Sequence, residues 1–193
     1  MSFIKPREKE INCKIVYFGP AGAGKTTSVS FLHKKTAPGR RGDIVTLSKT
    51  DDKNLFFDFL PLTLGKVKDY TVRIHVYTLP GQVVYDASRT LILKGIDGLI
   101  FTIDSQMEKL EENVESWKNL QKSLKNHGID VRTLPVALQY NKRDLGNLMP
   151  VEALREIFND RELPEFETVA TTGKNVMECF QATAKKVLQE LAN

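Results

Sequence analysis

The chain has 193 residues, of which 41% are hydrophobic, and a formal net charge of +4. That length suffices for one well-buried core and is short for two, so we expect a single domain over residues 1–193. No apolar run is long enough to cross a bilayer, and no basic block with interleaved aromatic residues indicates nucleic acid. Cys13 and Cys179 are expected to be reduced thiols, as in a cytoplasmic protein without direct membrane insertion.

The first functional motif is a glycine-rich loop between a predicted strand (residues 11–18) and a predicted helix (residues 26–35). Residues 19–26 fit G-x-x-x-x-G-K-[ST], the phosphate-binding loop. Its glycines let backbone N–H groups converge on phosphate oxygens, Lys25 can reach the β- and γ-phosphates, and the Thr26 hydroxyl suits Mg²⁺. A plain turn is the alternative, which the flanking elements and the Lys-Thr pair disfavour. The predicted nucleotide contacts in this region are Gly19, Gly22, Ala23, Gly24, Lys25, Thr26 and Thr27.

Three segments follow this helix before residue 80. Residues 43–47 are predicted to form a short strand. Residues 54–62 are apolar and are predicted to be a strand or part of a switch, interrupted by Pro61. Residues 71–79 alternate in polarity, which predicts a strand with one buried face.

The second half continues the alternation of strands and helices. Residues 98–104 and 134–138 are predicted buried strands, residues 165–170 a last short strand, and apolar spacing predicts helices over 107–126 and 176–191. The alternation predicts an α/β domain of the P-loop NTPase type, with a single mostly parallel sheet and helices on both faces. In such sheets ligands bind at the carboxyl ends of the strands.

The motif N-K-x-D, formed by Asn141, Lys142 and Asp144, follows the strand predicted over residues 134–138. The Asp144 carboxylate can accept hydrogen bonds from N1–H and the exocyclic amine, which guanine has and adenine lacks. The Lys142 stem can lie over the base, and the Asn141 amide can reach N7 and the phosphate loop. A charged turn is the alternative for this motif alone, but its position after a phosphate loop favours guanine binding.

With these motifs the chain resembles the MglA family of bacterial small Ras-like GTPases nearly from end to end. Besides the two motifs, the resemblance is carried by residues 12–17, 55–62, 80–83, 85–89 and 93–95. It implies a switch that binds GTP or GDP with Mg²⁺ and slowly hydrolyses GTP to control motility or cell polarity. It also implies effector proteins, a dimeric roadblock-type activating partner, MglB, and location at a cell pole in the active form.

The resemblance also assigns roles around residues 78–82. In Ras-like proteins, the backbone N–H at the position of Gly81 meets the γ-phosphate, and the side chain at the position of Gln82 orients the attacking water. Thr78 stands where most Ras-like proteins have an aspartate that holds Mg²⁺ through a water, and threonine there is itself similar to the MglA family. A backbone N–H of Thr171 would meet the guanine carbonyl oxygen.

Two positions depart from the family pattern. Lys53 replaces an arginine that stabilises transition-state charge, and Asn54 replaces a threonine that ligates Mg²⁺. Because lysine lacks the planar fork of arginine, the exchange predicts slow hydrolysis. A nucleotide-binding scaffold without useful hydrolysis is one alternative, which Lys53 and Asn54 favour and Gln82 disfavours. A P-loop kinase or ATPase is the other, which the guanine motif disfavours.

Overall fold

The structure is a computed structural model that describes residues 3–5, 7–47, 57–79 and 86–191. The strands are β1 (Phe3–Lys5), β2 (Glu10–Phe18), β3 (Val45–Leu47), β4 (Phe57–Val67), β5 (Tyr70–Thr78), β6 (Gly98–Asp104), β7 (Val136–Asn141) and β8 (Glu165–Glu167). The helices are α1 (Lys25–Lys35), α2 (Asp86–Leu93), α3 (Leu110–Asn126), α4 (Val151–Phe158) and α5 (Val176–Glu190). Within these described ranges, every helix is too short or too polar to cross a membrane.

One sheet contains all the described strands: seven follow the order β3-β4-β5-β2-β6-β7-β8, and β1 pairs with the first residues of β2. The pairs β2–β5, β2–β6, β6–β7 and β7–β8 are parallel, whereas β1, β3 and β4 join by antiparallel pairing. The predicted mostly parallel α/β sheet is therefore confirmed. Its parallel core places the carboxyl ends of β2, β6 and β7 at one edge, where functional loops can meet.

Helices cover both faces of the sheet, as predicted. Side chains of α2, α3 and α4 pack on one face, where Trp117 lies 4.7 Å from Phe101, measured between ring centres. Helices α1 and α5 pack on the other face against Ile15, Tyr17 and Ile100. Because successive side chains of a strand point to opposite faces, β2 contributes to both cores.

Several predicted boundaries were wrong. Strand β4 continues through Pro61 without interruption. The Pro61 carbonyl accepts a hydrogen bond from the Gly42 N–H, so the Pro61 nitrogen faces the same side of β4, beyond the first residue of β3. The missing N–H therefore does not interrupt the pairing of β4 with β5. Strand β7 begins and ends later than predicted, β8 is shorter, and β1, α2 and α4 had not been predicted.

We predict that Gly98→Ala destabilises the fold because α5 crosses β6 closely at this glycine. An added Cβ would lie 2.6 Å from Cγ2 of Val187 and 3.2 Å from Cγ2 of Thr183, both buried. Overpacking of this kind lowers the free energy of unfolding by about 1–3 kcal/mol. Equilibrium unfolding in urea measures this change in the free energy of unfolding.

Gly39→Ala is the matched control, because a Cβ there meets open space. Its free energy of unfolding should stay within about 1 kcal/mol of the wild type. In the double variant Gly98→Ala/Val187→Ala, the loss should be smaller than the sum of the single losses. Equal stability of Gly98→Ala and Gly39→Ala would contradict this account of the packing.

Candidate nucleotide-binding site

The phosphate loop connects β2 to α1 at the carboxyl edge of the sheet. Strand β2 ends at Phe18, and α1 begins at Lys25, so the loop occupies the positions between them. Helix α1 has no acidic residue in its first turn. Its N-terminal N–H groups and dipole therefore favour an anion at this end.

Asn141, at the end of β7, ties three segments together. Its Nδ2 donates to the Ala23 carbonyl over 2.7 Å, which joins β7 to the phosphate loop. Its Oδ1 accepts from the Thr168 hydroxyl at 3.0 Å and from the Ala170 N–H at 2.9 Å. The side chain is 1% exposed, so these hydrogen bonds are shielded from water and satisfy the buried amide.

The close approach of Asn141 explains why Gly24 is glycine. Gly24 has φ = +100°, and a Cβ at this position would clash directly with Nδ2 of Asn141. Any other residue would both strain the backbone and push the amide away from Ala23. The phosphate motif and the guanine motif thus depend on each other sterically.

A cavity of about 230 Å³ lies beside this junction. The structure brings predicted residues from both motifs to its wall, together with Ala170 and Leu145, which had not been predicted. The predicted residues are Gly22, Gly24, Thr27, Asn141, Lys142, Asp144 and Thr171. Asp144 and Thr171 are exposed, whereas Asn141 and Ala170 are buried, so the cavity has a polar rim and a closed floor.

Lys25 lies folded back within the phosphate loop. Its Nζ donates to the carbonyls of Gly19 at 2.9 Å and Pro20 at 2.6 Å. Burial lowers the pKa of Lys25 to about 8, and the nearby Asp58 carboxylate opposes part of that shift. An anion at this loop would favour the charged ammonium and raise the pKa again.

A cluster of hydroxyls surrounds Asp58, a residue of β4 that is 6% exposed. The hydroxyls of Thr26 and Thr78 donate to Oδ2 over 2.7 Å and 2.8 Å, and the Thr46 hydroxyl donates to Oδ1 over 3.0 Å. The Asp58 N–H in turn donates to the Thr78 hydroxyl at 3.1 Å. Two predicted metal ligands, Thr26 and Thr78, therefore meet at one carboxylate.

Sequence reasoning had missed Asp58. Two signals were available: an acidic residue within the apolar run 55–62, and a threonine at Thr78 where most Ras-like proteins carry a carboxylate. The antiparallel pairing of Phe59 with Tyr77 brings Asp58 beside Thr78. The carboxylate thus reaches the site from the neighbouring strand.

Four predicted residues, Lys53, Asn54, Gly81 and Gln82, lie outside the described residues. The described part of the site accordingly comprises the cavity, the phosphate loop and the Asp58 cluster. The Gly19 carbonyl contacts Lys25, and the Ala23 carbonyl contacts Asn141, which places both predicted loop residues within this hydrogen-bonded framework.

Comparison with known proteins identifies the family. A family model for the Ras family matches residues 14–189. The chain is 51% identical over 191 residues to the mutual gliding-motility protein MglA of Myxococcus xanthus, covering 99% of this chain and 98% of that protein. It is 25% identical to the Ras-related protein Rab-7a of Dictyostelium discoideum, covering 94% and 85% of the two chains.

It is also 26% identical to the Ypt/Rab-type GTPase ypt7 of Schizosaccharomyces pombe, covering 92% of this chain and 83% of that one. The span matched by the Ras-family model, residues 14–189, includes the phosphate loop and the residues that line the cavity. The chain therefore belongs to the Ras family and is a GTPase of the MglA type.

Proposed function

We propose that this protein is a guanine-nucleotide switch that binds GTP and GDP, slowly hydrolyses GTP, and acts in bacterial motility and cell polarity. The hydrogen bonds of Asn141 to Ala23 and Ala170 carry the proposal, because they hold a base-reading loop against a phosphate-binding loop. The role in motility is proposed because the Myxococcus xanthus relative, at 51% identity, is a mutual gliding-motility protein. A roadblock-type activating partner and polarity effectors are part of the same proposal.

Different described residues would bind different parts of the nucleotide. The phosphate loop would hold the phosphates through its backbone N–H groups and Lys25. Asp144 would accept from the two guanine donors, while Thr171 would offer its backbone N–H to the guanine carbonyl oxygen. Both side chains lie on the wall of the same cavity, which supports this division.

The Asp58 cluster fits a magnesium ion. A buried carboxylate and the hydroxyls of Thr26 and Thr78 form a set of hard oxygen ligands, which is the kind that Mg²⁺ prefers. Bound Mg²⁺ would neutralise phosphate charge during hydrolysis. We propose that Thr26 ligates the ion and that Asn54 is a further ligand. Most Ras-like proteins have a carboxylate at the position of Thr78; here Asp58, which accepts a hydrogen bond from Thr78, would supply that negative charge.

Guanine selectivity is the direct test of the base assignment. Asp144→Asn replaces an acceptor with a donor that faces guanine's own donors, so GDP affinity should fall about 10³-fold or more. Affinity for xanthosine diphosphate should rise in the same variant. Displacement of a fluorescent GDP analogue measures both.

Glu167→Gln is a control, because this exposed carboxylate at the end of β8 pairs with Arg143 at 3.0 Å and is not among the described residues that line the cavity. It should leave the base preference unchanged. Equal binding of ATP and GTP by the wild type would overturn the assignment.

Asp58→Asn should make nucleotide retention require more Mg²⁺, because it removes the negative charge but preserves the shape of the side chain. The concentration of Mg²⁺ for half-maximal GDP retention should rise about tenfold, corresponding to about 1.4 kcal/mol. An EDTA titration of GDP release measures it. Thr46→Val removes one hydroxyl from Oδ1 and leaves the charge, so it should keep nearly the wild-type requirement. Identical titrations for all three proteins would contradict the role of Asp58.

Hydrolysis separates the switch from a scaffold that binds nucleotide without cleaving it. Gln82→Leu should lower the single-turnover rate because it removes the group that orients the water. Lys53→Arg should raise the rate, by less than the roughly 10³–10⁵ that a fully placed arginine contributes. The measurement is GTP cleavage at saturating Mg²⁺ with nucleotide loading checked. If neither variant differs from the wild type, the scaffold is the better description.

A further inference from the structure

Asp104 and Lys142 form an ion pair behind the base cavity. Asp104 is the last residue of β6, and Lys142 follows β7 directly. The Lys142 Nζ lies 2.6 Å from Oδ2 of Asp104, and the two side chains are 28% and 2% exposed. Lys142 lines the cavity, whereas Asp104 is not among the described residues that do.

The other polar atoms of Asp104 are used to fix its position. Its Oδ1 accepts from the Gln106 N–H at 3.2 Å. Its backbone N–H donates to Oδ1 of Asn113 at 3.0 Å, and its carbonyl accepts from Nδ2 of Asn113 at 2.8 Å. Asp104 is therefore a rigid anchor, and Oδ2 is the oxygen that faces the lysine. Burial of this carboxylate makes the ammonium its necessary counter-charge.

Lys142 is held at both ends. Its backbone has φ = +65°, a left-handed conformation that is unfavourable for a residue with a side chain. Its ammonium is held at Asp104, so the methylene stem is fixed along the wall of the cavity. A free lysine would lose rotamer freedom each time a nucleotide bound, whereas an anchored lysine has lost it already.

We propose that Asp104 is a positioning residue that holds the Lys142 stem against one face of the bound purine and thereby slows nucleotide release. This inference rests on the proposed binding of guanine nucleotides in the cavity. The contact with the base is apolar and does not read its exocyclic groups. Asp104 should therefore affect guanine and hypoxanthine nucleotides equally, in contrast to Asp144.

The experiment compares GDP and inosine diphosphate release from the full-length wild type and Asp104→Asn, by stopped-flow displacement of fluorescent analogues. The asparagine keeps the acceptor for Gln106 and the backbone bonds to Asn113, and it removes the charge that faces Lys142. Release of both nucleotides should accelerate about tenfold, as expected for loss of a charged partner. The ratio of the GDP rate to the inosine diphosphate rate should not change.

A double-mutant cycle with Lys142→Met separates positioning from a general structural effect. Methionine keeps an apolar stem without the ammonium, so Lys142→Met alone should release nucleotide faster than the wild type. Adding Asp104→Asn to it should cause no further acceleration. Glu112→Gln, which breaks the exposed Lys109–Glu112 pair at 2.7 Å, is the matched control and should leave release unchanged.

Each other outcome overturns the inference. Unchanged release in Asp104→Asn would show that the anchor contributes nothing, and equal acceleration in the Lys142→Met background would show a role independent of the lysine. A changed ratio between the two nucleotides would indicate an effect on Asp144. If Asp104→Asn does not fold, a nucleotide release rate equal to the wild type in Lys142→Met would overturn the inference. If the wild type itself showed no preference for guanine nucleotides, that result would instead overturn the proposed function.

Discussion

The buried amide of Asn141 is the interaction on which the rest of the site depends. One planar group donates to the phosphate loop at Ala23 and accepts from Thr168 and Ala170, so three separate loops share a single reference point. An amide has both a donor end and an acceptor end, which a carboxylate or a hydrophobic residue of the same shape does not. The parallel pairing of β2, β6, β7 and β8 makes this meeting possible, because it places all of these loops at the carboxyl ends of the strands.

Burial of charge is the second constraint. Lys25 and Asp58 both lie largely out of water beside the phosphate loop, at 6% exposure each. Lys25 satisfies its ammonium with loop carbonyls, and Asp58 satisfies its carboxylate with hydroxyls from α1, β3 and β5. Such a site is costly to build, because each charge must be compensated locally. In return, both charged groups already lie beside the phosphate loop, where a highly charged ligand would bind.

The anchoring of Lys142 follows the same physical logic on the base side of the site. A buried carboxylate at the end of β6 holds an ammonium from the end of β7, and the stem between them faces the cavity. The site thus uses fixed charges behind its walls to orient the groups that line it. For a switch, slow release of nucleotide is useful because it leaves the timing of the cycle to hydrolysis and to partner proteins.

The sequence by itself determined the class of fold and the phosphate and guanine motifs, because these depend on local patterns: glycines and Lys25 at fixed offsets, and Asn141 to Asp144 after a buried strand. The resemblance of further segments, such as residues 55–62, indicated the family. It did not reveal Asp58, Asp104 or the continuation of β4 through Pro61. Those features depend on which strands become neighbours: the pairing of β4 with β5 brings Asp58 beside Thr78, and that of β6 with β7 brings Asp104 beside Lys142. Asp58 and Thr78 are separated by 20 positions, and Asp104 and Lys142 by 38, so only the tertiary structure decides these contacts.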